Sequence, residues 1–147
     1  MRRAECSSEV HRAAKEVFDY LVAYDRWPEW GLRVVIAEYE PPNLKIVNRL
    51  FFGMTATTEY RIVHCEPPRL LRFESSRGPV PARFSFTVSE QRTGVSLVVE
   101  TVEMWPRGPL RAFGRLITVL ADRQLRANHQ ALKEHLERAP TATRPVE

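Results

Sequence analysis

Three side chains in this sequence stand where they could move a proton, and none belongs to a familiar catalytic string. Glu103, Tyr60 and His64 fall at inward positions of runs that alternate like strands. Glu103 is the one inward carboxylate of its run, and desolvation there raises a carboxyl's pKa and suits it to proton transfer. It also reads as half of an ion pair with an arginine at the strand end, or as turned outward by a bulge after Val99. Tyr60 can orient a substrate oxygen or fill space, and His64, at a strand end, is a second acid/base candidate. Gln124 and Asn128, one helical turn apart within an apolar stripe, can bond ligand carbonyls or hydroxyls, or hold buried backbone or a water. Trp27, Asn48, Thr58, Phe73, Phe84 and Thr101 complete the set read as touching a ligand. A polar member buried without a partner costs roughly 1–3 kcal/mol, so each is either paired or faces a polar ligand.

Other chemistries lack their residues. The chain has no HExxH, P-loop, GxGxxG or GxSxG string, and His11, His64, His129 and His135 lack metal-ligand spacing, so neither a metal nor a cofactor is expected. His129 reads as solvated on the polar face of a helix, and His135 as a packing residue near its apolar face. Cys6 and Cys65, far apart and outside any CxxC, read as two small reduced hydrophobes rather than a disulfide or metal pair.

Placing these residues takes a definite order of elements. Arg3 to Val10 alternate, with Ala4, Cys6, Ser8 and Val10 on one side, and predict a first strand. RAAKEVFDYLVAY changes period, with Ala14, Val17, Phe18 and Leu21 on one face of a short helix. DRWPEW makes a second, very short helix or turn, with Asp25 placed to cap it and Pro28 admissible only in its first turn. From Leu32 to Met104, about six runs rich in Val, Ile, Phe, Tyr and Thr are punctuated by EPPN, Gly53, CEPPR, SRGPVP and QRTG, which predicts an antiparallel meander. Parity points Met54, Ala56, Thr58, Tyr60 and Ile62 inward, then Leu71, Phe73 and Ser75, then Ala82, Phe84, Phe86 and Val88, then Val95, Leu97, Val99, Thr101 and Glu103. On NLKIVNRLFF the inward set is Leu44, Ile46, Asn48, Leu50 and Phe52. Pro109 opens a helix running to about Arg138, with Leu110, Phe113, Ile117, Leu120, Ala121, Leu125, Leu132 and Leu136 on its apolar stripe. APTATRPVE, residues 139–147, is expected to be a disordered tail, leaving residues 1–138 as one domain.

Composition narrows the partners. At 147 residues, 44% hydrophobic and 27% charged, the chain has room for one core and the balance of a soluble globular protein. No apolar run approaches the roughly 18 residues of a membrane span, and MRRAECSSEV has no apolar stretch behind its basic residues, so no integral membrane association and a cytoplasmic address are expected. The net charge of +4 comes from basic residues spread along the chain and interleaved with acids, which gives no nucleic-acid-binding patch. Nothing in the sequence sets an oligomeric state.

The order of elements is that of an α+β helix-grip fold, a curved antiparallel sheet of about seven strands wrapped around a long C-terminal helix, with two short helices after the first strand. VHRAAKEVFDYLVAYDRWPEW, CEPPRLLRFES and TGVSLVVE resemble the START-like superfamily, which includes the polyketide cyclase/dehydrase and lipid-transport proteins, over roughly residues 3 to 137. The resemblance implies a cavity between sheet and helix. The small inward residues Ala56, Thr58, Ser75, Ala82 and Thr101 independently leave space there. It also implies a hydrophobic small-molecule ligand, polyketide- or lipid-like, held by a carrier, sensor or sequestering resistance protein. A second function is a polyketide cyclase or dehydratase that folds its substrate in the cavity with acid/base help, although no arginine has the inward parity that related cyclases use. A third is a regulatory module that works through its outer surface. In YDRWPEW, Trp30 is expected to plug the core and Trp27 to line the rim of the cavity.

Overall fold

The computed structural model describes residues 1–138, and the tail expected at 139–147 lies outside them. β1 (Arg2–Val10) is followed by α1 (Ala14–Leu21) and a 3-10 segment (Tyr24–Glu29). Six strands come next: β2 (Val34–Glu40), β3 (Asn43–Arg49), β4 (Thr55–Glu66), β5 (Leu70–Ser75), β6 (Ala82–Arg92) and β7 (Val95–Met104). A second 3-10 segment, Gly108–Phe113, runs into α2 (Gly114–Arg138). The seven strands form one antiparallel sheet in the order β1-β7-β6-β5-β4-β3-β2, so the first strand lies beside the last. This is the helix-grip α+β plan, with α2 packed against β1 and the first 3-10 segment. Among the described residues no helix is long and apolar enough to cross a membrane.

Hydrophobic periodicity places the core. α1 contributes Val17, Phe18 and Leu21, the sheet Leu44, Leu71, Phe86 and Val98, and α2 Leu132, all essentially inaccessible to solvent. Each such side chain contributes about 1.5–3 kcal/mol relative to exposure. A second cluster, Ala4, Ala82, Val102, Met104 and Leu125, fills the other end under the first turns of α2.

Several expectations change in the folded chain. The long helix is shorter at its start, because the Gly108–Phe113 stretch, with Pro109 near its beginning, forms 3-10 turns before the α-helix begins at Gly114. Phe113 and Leu120 are exposed rather than part of the packed stripe. Asp25 lies inside the first turn of the 3-10 segment, which has no side-chain cap. β3 ends at Arg49, and the chain reverses through Phe52 and Gly53, both at positive φ, so Leu50, Phe52 and Met54 are exposed instead of inward. Cys65 is also exposed.

The largest change is on β7, where Val95 is buried as expected but the parity is inverted from Ser96 to Met104. Ser96, Val98, Glu100, Val102 and Met104 are buried, while Leu97, Val99, Thr101 and Glu103 are only partly covered. Pairing explains it. Directly opposed residues of an antiparallel pair share a face, and Phe86 stands opposite Glu100 and Phe84 opposite Val102 on one side. On the other side Cys6 stands opposite Glu100 and Ser8 opposite Val98. Valines on both faces hide the alternation when the strand is read alone.

Candidate ligand-binding site

A cavity of about 300 Å³ lies between the concave face of the sheet and α2. Its aromatic wall comes from four elements: Trp27 and Trp30 around the first 3-10 segment, Tyr60 on β4, Phe73 on β5, and Phe84 and Phe86 on β6. These rings hold one another. Phe73 stacks on Phe84 with centroids 5.1 Å apart, Tyr60 meets Phe73 edge-on at 5.3 Å, and Trp30 meets Phe86 edge-on at 5.9 Å. Gly31 lets the loop pass close beneath them, since a Cβ there would stand 2.9 Å from Val34 Cγ2 and 3.1 Å from the Trp27 carbonyl oxygen.

Both tryptophans are buried and both line the cavity, so the expected division into plug and rim does not hold. They differ in hydrogen bonding. Trp27 Nε1 donates to the Leu21 carbonyl at 2.8 Å, whereas the buried Trp30 Nε1 finds no acceptor among the described residues. An orphaned buried N–H costs about 1–3 kcal/mol, and here it belongs to a ring of the cavity wall.

Of the residues read as a site, Trp27, Asn48, Tyr60, Phe73, Phe84, Gln124 and Asn128 come together around this space. Burial pushes the Tyr60 phenol up to about 12, opposed by a hydrogen bond from Thr58, so Thr58 sits behind Tyr60 rather than in the wall. Thr101, Glu103 and His64 point elsewhere. Thr101 Oγ1 donates to Glu5 Oε1 at 3.1 Å on the outer face of the sheet. Glu103 lies opposite Arg83 and forms a half-exposed ion pair with it at 4.0 Å. The inversion of β7 sends both outward without any bulge after Val99. His64 is turned out by the register shift between Ile62 and His64, and it pairs with Glu66 in solvent.

The acidic group inside the cavity is Glu100, 4% exposed and part of the cavity wall. Its Oε1 lies 3.0 Å from His129 Nε2, and His129 Nδ1 lies 2.9 Å from Ser8 Oγ. His129 is 2% exposed and stacks on Phe86 with its plane 13° away, so it is a core residue and not the solvated one expected. Burial drives the Glu100 carboxyl above the ordinary carboxylate range, and the bond to His129 partly opposes the rise. A signal for His129 was present in the sequence, because a stripe through Leu125, Leu132 and Leu136 at 3.6-residue period passes through position 129. Among the described residues no cluster of three or more His, Cys, Asp or Glu side chains is placed to hold a metal.

A wider, more open depression of about 690 Å³ lies past Ala82, lined by Arg2, Glu74, Trp105, Arg107 and Arg111 among others. Its charged and solvent-facing lining suits it poorly to desolvating an apolar molecule.

Comparison with known proteins agrees with the fold. No curated protein matches the sequence. A START superfamily protein from Mycobacterium smegmatis superposes with a TM-score of 0.81 at 14% identity, over 94% of this chain and 99% of the other. The Zhui aromatase/cyclase from a Streptomyces species superposes at 0.79 with 13% identity, over 99% of both chains. The di-domain aromatase/cyclase BexL superposes at 0.72 with 18% identity, over 94% of this chain and 50% of that one. The family model for polyketide cyclase/dehydrase and lipid transport matches residues 1–137, and the chain belongs to that family.

Proposed function

We propose that the protein binds a hydrophobic small molecule in the cavity between sheet and α2, as a carrier, sensor or sequestering protein. One observation carries this reading: a cavity of about 300 Å³ walled by six aromatic side chains with few polar groups among them. Apolar space of this kind is costly to leave unfilled, because its lining forgoes packing contacts on one side. The orphaned Trp30 N–H in the same wall adds a polar group that a ligand oxygen could satisfy. Native mass spectrometry of the purified protein tests the reading. A co-purifying apolar molecule, released on denaturation and quenching tryptophan fluorescence when added back, supports it. Absence of any adduct, with no fluorescence response to aromatic or aliphatic hydrophobes, overturns it.

A second reading, cyclisation or dehydration of a polyketide-like substrate, is favoured by the carboxyl of Glu100 in the cavity wall. It takes the acid/base place first assigned to Glu103, from a strand position three residues earlier and on the opposite face.

A further inference from the structure

We propose that Glu100, backed by His129 and Ser8, is an acid/base catalyst that exchanges the α-proton of a compact one- or two-ring ketone held in the cavity. The proposal rests on the ligand-binding reading and adds to it a substrate class, a reaction and its residues.

Size comes first. At about 30 Å³ per water in the liquid, a 300 Å³ cavity holds the equivalent of about ten waters. That accommodates a fused ring pair. Aromatic walls that already meet their neighbours edge-on favour a ligand that is itself a ring.

The connected side chains hold the base in place. Glu100 Oε1 is taken by His129, so Oε2 is the oxygen left for whatever enters the cavity. A neutral imidazole closes the chain in two ways. In one, Ser8 O–H donates to Nδ1 and Nε2–H donates to a carboxylate. In the other, Nδ1–H donates to Ser8 Oγ and the protonated carboxyl donates to Nε2. The two arrangements differ by one proton. Ser8 is half-buried on the edge strand β1, where α2 packs, so the chain leads from the seam between β1 and α2 to the cavity. In the first arrangement Nε2–H holds Oε1 of the carboxylate and leaves Oε2 toward the cavity, while Ser8 holds the ring in that tautomer.

The step balances without an oxidant or reductant. The Glu100 carboxylate removes the hydrogen from the carbon beside the ligand carbonyl. The C–H electron pair becomes the C=C of the enolate, and the carbonyl π pair moves to oxygen. The abstracted proton sits on Oε2, facing the cavity, where it exchanges with a water. The carboxyl then returns a solvent-derived proton to the carbon as the carbonyl re-forms, so one carbon-bound hydrogen is replaced by one from water. Burial raises the basicity of Glu100 toward that needed for such a transfer. His129 and Ser8 act through Glu100 and are positioning residues.

β-Tetralone in D₂O is the probe, with loss of its α-proton NMR signal reporting exchange and tryptophan quenching reporting binding. The expected result is exchange about 10²-fold faster than in buffer, abolished in Glu100→Gln with the binding constant within about twofold of wild type. Ser8→Ala should slow exchange severalfold with binding intact, an effect a merely structural role would not produce. Binding without accelerated exchange, or exchange that survives in Glu100→Gln, overturns the catalytic assignment and leaves the ligand-binding reading standing. Binding of palmitate in preference to β-tetralone overturns the substrate class. Failure of both to bind, with no co-purifying ligand in the native spectrum, removes the ligand-binding reading together with the proposal.

Discussion

Gln124 Nε2 donates to Asn128 Oδ1 at 2.8 Å across one turn of α2, and both amides hold the same loop. Asn128 Oδ1 also accepts the Leu32 N–H at 3.1 Å, and Gln124 Oε1 accepts Arg33 Nε–H at 3.0 Å. The pair therefore forms a latch between α2 and the Gly31–Arg33 loop, while its side chains still face the cavity. Asn128→Ala frees the Leu32 N–H and should cost about 0.5–1.5 kcal/mol of stability. Because Gly31 is part of the cavity wall, release of a bound hydrophobe should quicken severalfold, as read by stopped-flow tryptophan fluorescence. An unchanged release rate in a variant that folds normally would show that the loop is no gate.

Glu100 sets a pH dependence whose sign is fixed by its direction of shift. Its folded-state pKa is raised by burial, whereas the unfolded carboxyl titrates near 4.3. Between those values the folded state binds more protons, so stability from this group is complete below about pH 4.3 and falls as pH rises through the window. The groups facing it are His129 from α2 and Cys6 from β1, with Phe86 opposite on β6. Glu100→Gln keeps an acceptor for His129 and removes the charge. Urea denaturation across pH 4 to 8 should show the variant gaining on wild type as pH increases. Parallel curves would mean that Glu100 titrates as a solvated carboxyl.

His129 is the other half of that pair, and its removal acts differently. His129→Ala strips a 2%-exposed partner from a buried carboxyl and leaves Ser8 Oγ without its bond as well. A loss of about 3–5 kcal/mol is expected, the range for breaking one side of a buried pair. A loss below 1 kcal/mol, measured by the same denaturation, would place the pair in contact with water.

By contrast, Glu103→Gln should shift stability by no more than about 0.5 kcal/mol, because its contact with Arg83 is long and half-exposed. It should leave ligand affinity unchanged. A large drop in affinity in this variant would return Glu103 to the cavity.

The order of elements, the inward faces of β4 to β6 and most of the aromatic wall were legible because their apolar residues alternate against polar ones. Phe73 and Phe84 are flanked by charged or hydroxylated neighbours, so parity alone places them. β7 gives no such contrast, since Val95, Val98, Val99 and Val102 occupy both faces, and only the partner strands decide between them. A single wrong parity moved the carboxyl of interest from Glu100 to Glu103. His64 shows the same sensitivity, because one extra residue at Val63 turns the end of β4 over. His129 was missed because the sequence reading counts it with the polar face of the helix, although at 3.6-residue period its position lies within the stripe. Pairing register is a long-range property, and no local pattern contains it.

Ala82 separates the need for empty space from the need for stability. It is 7% exposed, lies in the cavity wall opposite Met104 on β7, and its N–H is held by Ser75 Oγ at 3.3 Å. Ala82→Leu adds apolar atoms into the void without deleting a contact, so the folded state should be unchanged or stabilised by up to about 1 kcal/mol, as cavity filling commonly gives. The same atoms occupy part of the 300 Å³ a ligand needs, and affinity should fall at least about tenfold, equivalent to about 1.4 kcal/mol. Thermal unfolding and fluorescence titration of the one variant check both halves. A lower melting temperature with undiminished affinity would mean that the wall at Ala82 is already tightly packed and that the ligand space lies elsewhere.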